Sequence, residues 1–150
     1  MGLSKTGHED VTYRIIGAAM RVHNALGPGL REGTYQRALS EQMRADGLSF
    51  EEERPVEILL DGVSVGLLYL DHLVEDAVVV EVKALRHRLT QDEVGQVITY
   101  LAATGHKVGL LLNFAGRSLE YKRILPPKKL DDWRQRIRRY AWTPKEVHGG

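Results

Sequence analysis

Val78-Val79-Val80-Glu81-Val82-Lys83-Ala84 is an apolar strand interrupted by two opposite charges. A run this rich in β-branched residues suits a strand buried on both faces. Strand side chains alternate with period two, so Glu81 and Lys83 share one face, where each would lose hydration unless given a partner. A buried structural ion pair accounts for the two charges by itself. A site in which they do chemistry is the other reading.

Asp71 bears on that choice from the preceding strand. A three-residue loop, Glu75-Asp76-Ala77, sets Val74 across from Val78, Leu73 across from Val79, and Asp71 across from Glu81 with both side chains on one face. A two-residue loop would instead set Asp71 against Val80 and send Glu81 to the other face. Like charges directly opposite in a sheet repel, so two facing carboxylates with a lysine one step along suggest a cation between them. Magnesium, or manganese in its place, suits a set of hard oxygen ligands completed by waters and substrate phosphate.

Working outward, apolar residues recur at helical spacing from Asp10 to Leu26, and Gly27-Pro28-Gly29 stops that helix. A second helix is expected from Leu30 to Ala45. Strands are expected at Val56–Leu60 and Val63–Leu67 around an Asp61-Gly62 turn, with Leu68–Val74 continuing the second and Ala77–Ala84 forming the third. Thr90-Gln91-Asp92-Glu93 reads as a capping box opening a helix to Thr104. Two further strands, Lys107–Phe114 and Ser118–Ile124, precede a break at Pro126-Pro127 and a basic carboxyl-terminal helix. The order predicts an α/β domain: two amino-terminal helices and a mixed five-stranded sheet with a helix between strands three and four. Residues 1–125 form that domain, and 126–150 form a basic extension packed on it or trailing from it.

Composition narrows the class of function. The chain has 150 residues, 43% of them hydrophobic, and no uninterrupted apolar stretch of membrane-spanning length. Zero cysteines exclude thiol nucleophiles, iron–sulfur clusters and cysteine-bound zinc. The first ten residues lack an apolar run of signal-peptide length, so the expected location is the cytoplasm and no membrane partner is expected. Net charge is +1, but from Arg117 to Lys145 ten basic residues face only Glu120, Asp131 and Asp132, while Glu51-Glu52-Glu53 is acidic. Such polarity can offer a polyanion one face, or it can be a solvated helix surface. No glycine-rich phosphate loop with its lysine is present, since Gly27-Pro28-Gly29 has the wrong spacing.

The spacing of Asp71 before Glu81-Val82-Lys83 resembles the signature of the PD-(D/E)XK nuclease superfamily, with Leu70 standing where that name has proline. Gly29-Leu30-Arg31-Glu32-Gly33-Thr34-Tyr35 resembles the motif that names the GxxExxY family, usually assigned to that superfamily, and Val108-Gly109-Leu110-Leu111-Leu112-Asn113-Phe114 is also similar to it. The resemblance runs from the first helix to Ile124. It implies a restriction-endonuclease-like core and divalent-metal-dependent hydrolysis of phosphodiester bonds in nucleic acid, DNA first and RNA as the alternative. Carried over residue by residue, it makes Asp71 and Glu81 the metal-binding acids. Lys83 becomes the lysine that positions or helps deprotonate the attacking water, and Glu32 the upstream acid. An ordinary first-turn glutamate is the other reading of Glu32.

Gln96-Val97-Ile98-Thr99-Tyr100 resembles the QxxxY motif of the exonuclease branch, which adds Gln96 and Tyr100 to the site. The pair is centred about 140° from the stripe Val94, Val97, Ile98 and Leu101, so the helix must be buried on two sides for them to face it. Arg86 and Arg88, after the lysine strand, are candidates for phosphate contact, as are Lys128, Lys129, Arg134 and Arg138 in the basic extension. His72 and His23 have no second histidine at metal-ligand spacing and read as packing residues. A non-catalytic nucleic-acid-binding or partner-binding module on the same fold is the alternative function. The sequence leaves oligomeric state open.

Overall fold

A computed structural model describes residues 8–126 and, for the backbone alone, 141–144. Helices α1 (Glu9–Leu26) and α2 (Glu32–Ala45) come first, followed by strands β1 (Phe50–Leu60), β2 (Val63–Val74) and β3 (Val78–Lys83). Helix α3 (Gln91–Thr104), strand β4 (Val108–Asn113) and strand β5 (Glu120–Ile124) complete the α/β core. A short strand, β6 (Ala141–Pro144), follows. The sheet order is β5-β4-β3-β2-β1-β6, with β3 and β4 parallel and every other pair antiparallel. The parallel pair needs a crossover, and α3 supplies it.

The sheet differs from the expected five strands by β6, which pairs with β1 from Val56↔Pro144 to Leu59↔Ala141. The basic helix expected after Pro126-Pro127, including Lys128, Lys129, Arg134 and Arg138, lies outside the described residues. Strand β1 begins at Phe50, six residues before the expected start, because long-range pairing with β2 overrides three glutamates and Pro55. Helix α1 stops as expected, with Gly27 at φ 69 and its N–H bonded to the His23 carbonyl.

Two buried layers sandwich the sheet. On one face Ile15, Ala19, Tyr35, Leu39 and Met43 of α1 and α2 pack on Val78, Val80, Val82, Leu110 and Leu112. On the other, Val97, Tyr100 and Leu101 of α3 pack on Leu70, Leu73, Val79 and Leu111. Alternation along β3 therefore sends Glu81 and Lys83 to the α3 side. The approach of α3 to β4 leaves no room for a side chain at Gly109, where an added Cβ would lie 2.4 Å from Val97 Cγ1. Gly109→Ala is expected to destabilise the protein by about 1–3 kcal/mol in urea unfolding, since buried, β-branched Val97 cannot move aside freely.

Candidate active site

The β2–β3 turn sets the register on which the site depends. Glu75 and Asp76 take φ 55 and 51, and Ala77 N–H bonds to the Val74 carbonyl. Ala77 is the extra residue, so the ladder runs Val74↔Val78, Leu73↔Val79, His72↔Val80. One further step sets Asp71 against Glu81. There the ladder gives way: Val82 N–H donates to Asp71 Oδ2 at 2.7 Å, and Asp71 N–H points to Glu81 Oε1 at 3.5 Å.

Alternation along β2 is interrupted at this position. Leu70 and Leu73, three residues apart, lie in the same layer beneath α3, while His72 meets Ser40 of α2 on the opposite side. Strand β1 is irregular beside it, for Glu53, between the pairs Glu52↔His72 and Arg54↔Leu70, has φ 51. Both deviations free the Asp71 carboxylate from the ladder, as bulges near active sites commonly do.

Glu81, 4% exposed, holds Lys83 Nζ at 3.4 Å from its Oε2. The same Nζ donates to Gln96 Oε1 at 2.9 Å, and Gln96 Nε2 donates to the Tyr100 hydroxyl at 3.1 Å. Helix α3 is thus buried on two sides, with Val97 and Leu101 on the sheet and Gln96 with Tyr100 toward the acids. Its start is fixed by the capping box, in which the Thr90 hydroxyl accepts from Asp92 N–H and Glu93 Oε1 accepts from Thr90 N–H.

The stretch Gly29–Tyr35 builds the facing wall. The Tyr35 hydroxyl donates to the Gly27 carbonyl at 2.5 Å and accepts from Leu30 N–H at 3.1 Å, while its ring stacks on Phe114 with centroids 4.8 Å apart. That buried clamp holds the α1–α2 loop at the carboxyl ends of β3 and β4. Pro28 to Glu32 there border a cleft of about 560 Å³ with Ala84, Arg86 and Ala115. Glu32, exposed in the first turn of α2, is close enough that its charge acts on Asp71.

Crowded acids shift their titration. Burial, then the neighbouring Asp71 charge, raises Glu81 to about 8, against the opposing pull of Lys83. Burial raises Asp71 to about 6, with the charges of Glu32 and Glu53 adding to it and the Val82 N–H opposing. Burial and the charge of Glu81 push the Tyr100 hydroxyl up as well, so it stays protonated. The donor chemistry fits a divalent cation: two hard carboxylates whose mutual repulsion such a charge would relieve. Among the described residues no three His, Asp or Glu side chains converge at ligand spacing, so water and phosphate oxygens would fill the other positions, as magnesium favours.

The remaining candidates fall in several places. Arg86 is exposed at the cleft, and Arg88 is exposed but lies 3.6 Å from Glu120. His72 is fully buried, and burial lowers its pKa to about 4; His23 bonds through Nε2 to the Gly116 carbonyl at 2.9 Å. Sequence reasoning passed over Glu53 beside Asp71, and also Asn113, 3% exposed. Asn113 Oδ1 accepts from Leu85 and Ala115 N–H, and its amide donates toward the Leu85 and His87 carbonyls. Glu120 accepts from Leu89 N–H with both oxygens. The signal was a lone polar residue ending an all-apolar strand.

Fold and geometry together define an α/β domain of restriction-endonuclease type carrying an acid, acid, lysine pattern on two central strands. The chain belongs to the PD-(D/E)XK nuclease superfamily, whose family model matches residues 9–124. No curated protein and no solved structure matches it significantly. No helix among the described residues is long and apolar enough to cross a membrane.

The raised carboxylates predict how stability follows pH. Each folded pKa lies above its unfolded value, so the folded protein binds more protons, and this stabilisation is complete below the unfolded values. It is lost as pH rises through about 6 for Asp71 and about 8 for Glu81. In chelator, the melting temperature is expected to fall between pH 5 and pH 9, and Glu81→Gln should flatten that slope. A wild-type slope indistinguishable from that of the variant would show that the pair does not carry the shift.

Proposed function

We propose that the protein is a nuclease dependent on magnesium or manganese that hydrolyses phosphodiester bonds in DNA, with RNA as the second substrate to test. Membership of a nuclease superfamily supports the reaction class. The observation that carries the reading is the convergence of Asp71, Glu81 and Lys83 on one side of the sheet, with Lys83 bonded to Gln96. Structural ion pairs do not need a second carboxylate raised beside the first, nor a cleft at the strand ends.

Asp71 and Glu81 would hold the cation, and Glu32 would approach it from α2. When bound, a divalent cation supplies Lewis acidity to a phosphoryl oxygen and lowers the pKa of water. Lys83 brings an ammonium to the negative charge that grows on the phosphoryl group, or takes part in deprotonating the attacking water. Gln96 fixes that ammonium from one side and Glu81 from the other, and Tyr100 fixes Gln96. Arg86 and Arg88 offer guanidinium groups to the strand, with Lys128, Lys129, Arg134 and Arg138 as further candidates. The GxxExxY motif joins the two halves of this reading, since Tyr35 holds the loop that delivers Glu32.

The test is hydrolysis of labelled single- and double-stranded DNA and RNA, with and without magnesium. Asp71→Asn, Glu81→Gln and Lys83→Met are each expected to lower kcat by roughly a thousandfold, while Tyr100→Phe costs on the order of tenfold. Cleavage that persists in Asp71→Asn and Glu81→Gln protein would assign the activity elsewhere. Metal-independent binding without cleavage would leave the non-catalytic module.

A further inference from the structure

Among the described residues two sets of arginines contrast, apart from Arg37, exposed near Glu52 and Glu53, Arg88, which pairs with Glu120, and Arg123, which is engaged elsewhere. Arg14, Arg21, Arg44 and Arg54 are engaged by backbone carbonyls or carboxylates on the flanks of the molecule. Arg31, Arg86 and Arg117 are exposed and make no hydrogen bond or ion pair among the described residues. All three sit at the end of the sheet where β3 and β4 terminate. Arg31 and Arg86 line the cleft that contains Glu32, and Arg86 and Arg117 line an adjoining cleft of about 240 Å³. Arg86 borders both, so the two clefts adjoin and the three arginines line them in succession.

The loops that carry them are tied down by hydrogen bonds from buried or largely buried side chains. Tyr35, fully buried, ties Gly27 and Leu30 in the loop that carries Arg31. Asn113, with Glu120, grips Leu85, His87 and Leu89 around Arg86. His23, 6% exposed, donates from Nε2 to the Gly116 carbonyl, next to Arg117. A rigid backbone beneath an unpaired cation lowers the ordering cost when an anion binds, and guanidinium presents a planar fork to phosphate oxygens.

We infer that Arg31, Arg86 and Arg117 form a track for the phosphate backbone of a nucleic-acid strand, which enters the acidic site past Lys83. This rests on the nuclease reading and adds Arg31 and Arg117 to it. Glu32 lies in the same cleft and opposes a phosphate there, so the track is expected to work best with magnesium present.

Binding of a fluorescent single-stranded oligonucleotide to Lys83→Ala protein in magnesium, titrated with salt, tests the track without cutting. Arg31→Gln, Arg86→Gln and Arg117→Gln are each expected to weaken binding about tenfold at low salt. Each should also reduce the slope of log affinity against log salt by about 0.7. Arg31→Lys and Arg117→Lys should keep the slope, and Lys107→Gln, preceding β4 at the opposite end of the sheet, should change nothing. Slopes unaffected by the three glutamine variants, equal losses in Lys107→Gln, or no oligonucleotide binding at all would overturn the track. Hydrolysis plays no part in this measurement, so a failed nuclease assay leaves the track standing, and a failed track leaves the hydrolysis results intact.

Discussion

One extra residue in the turn between β2 and β3 governs the arrangement of charge in this protein. Ala77 shifts the pairing so that Asp71 stands beside Glu81, and the ladder parts there because Asp71 Oδ2 has taken the Val82 N–H. With one residue fewer, Asp71 would stand against Val80, and Glu81 with Lys83 would point to the opposite side of the sheet, away from the Asp71 carboxylate. Lys83, Gln96 and Tyr100 take their places from that register, since each bonds to the one before it in a chain beginning at Glu81.

The arrangement runs against stability. Two carboxylates and an ammonium are withdrawn from water, and at Glu81 burial and the Asp71 charge outweigh the relief that Lys83 brings. The surrounding apolar layers hold them there. Val78, Val80 and Val82 are fully buried on one side of β3, and Val79 with Leu111 is buried on the other. A strand so anchored cannot rotate its charged face outward to regain hydration.

Legibility in the sequence followed the range of the interactions. The turn at Glu75–Ala77, the capping box at Thr90 and the alternation along β3 are local, and they placed Asp71, Glu81, Lys83 and the start of α3. Glu32 was legible only through its motif, because its nearness to Asp71 depends on how a helix from one face meets strands from the middle of the sheet. The early start of β1 was hidden by Glu51, Glu52, Glu53 and Pro55, whose local preferences oppose a strand that β2 nevertheless imposes. The left-handed Glu53 and the grip of Asn113 on a loop 28 residues earlier in the chain have no local signature at all. β6 is the extreme case, a four-residue strand whose partner lies some eighty residues earlier.

That last pairing bears on how the chain is made. Strand β1 remains an open sheet edge, with Val56, Ile58 and Leu59 along it, until residues 141–144 arrive. During synthesis the site-bearing strands can pair early, while this edge stays unsatisfied until some eighty residues beyond β1 have been made. An unprotected edge beside exposed Leu60, Val63, Val65 and Leu67 is the segment of a nascent chain on which other strands would template. A short strand made long after β1 thus closes an edge that would otherwise be open to misassembly.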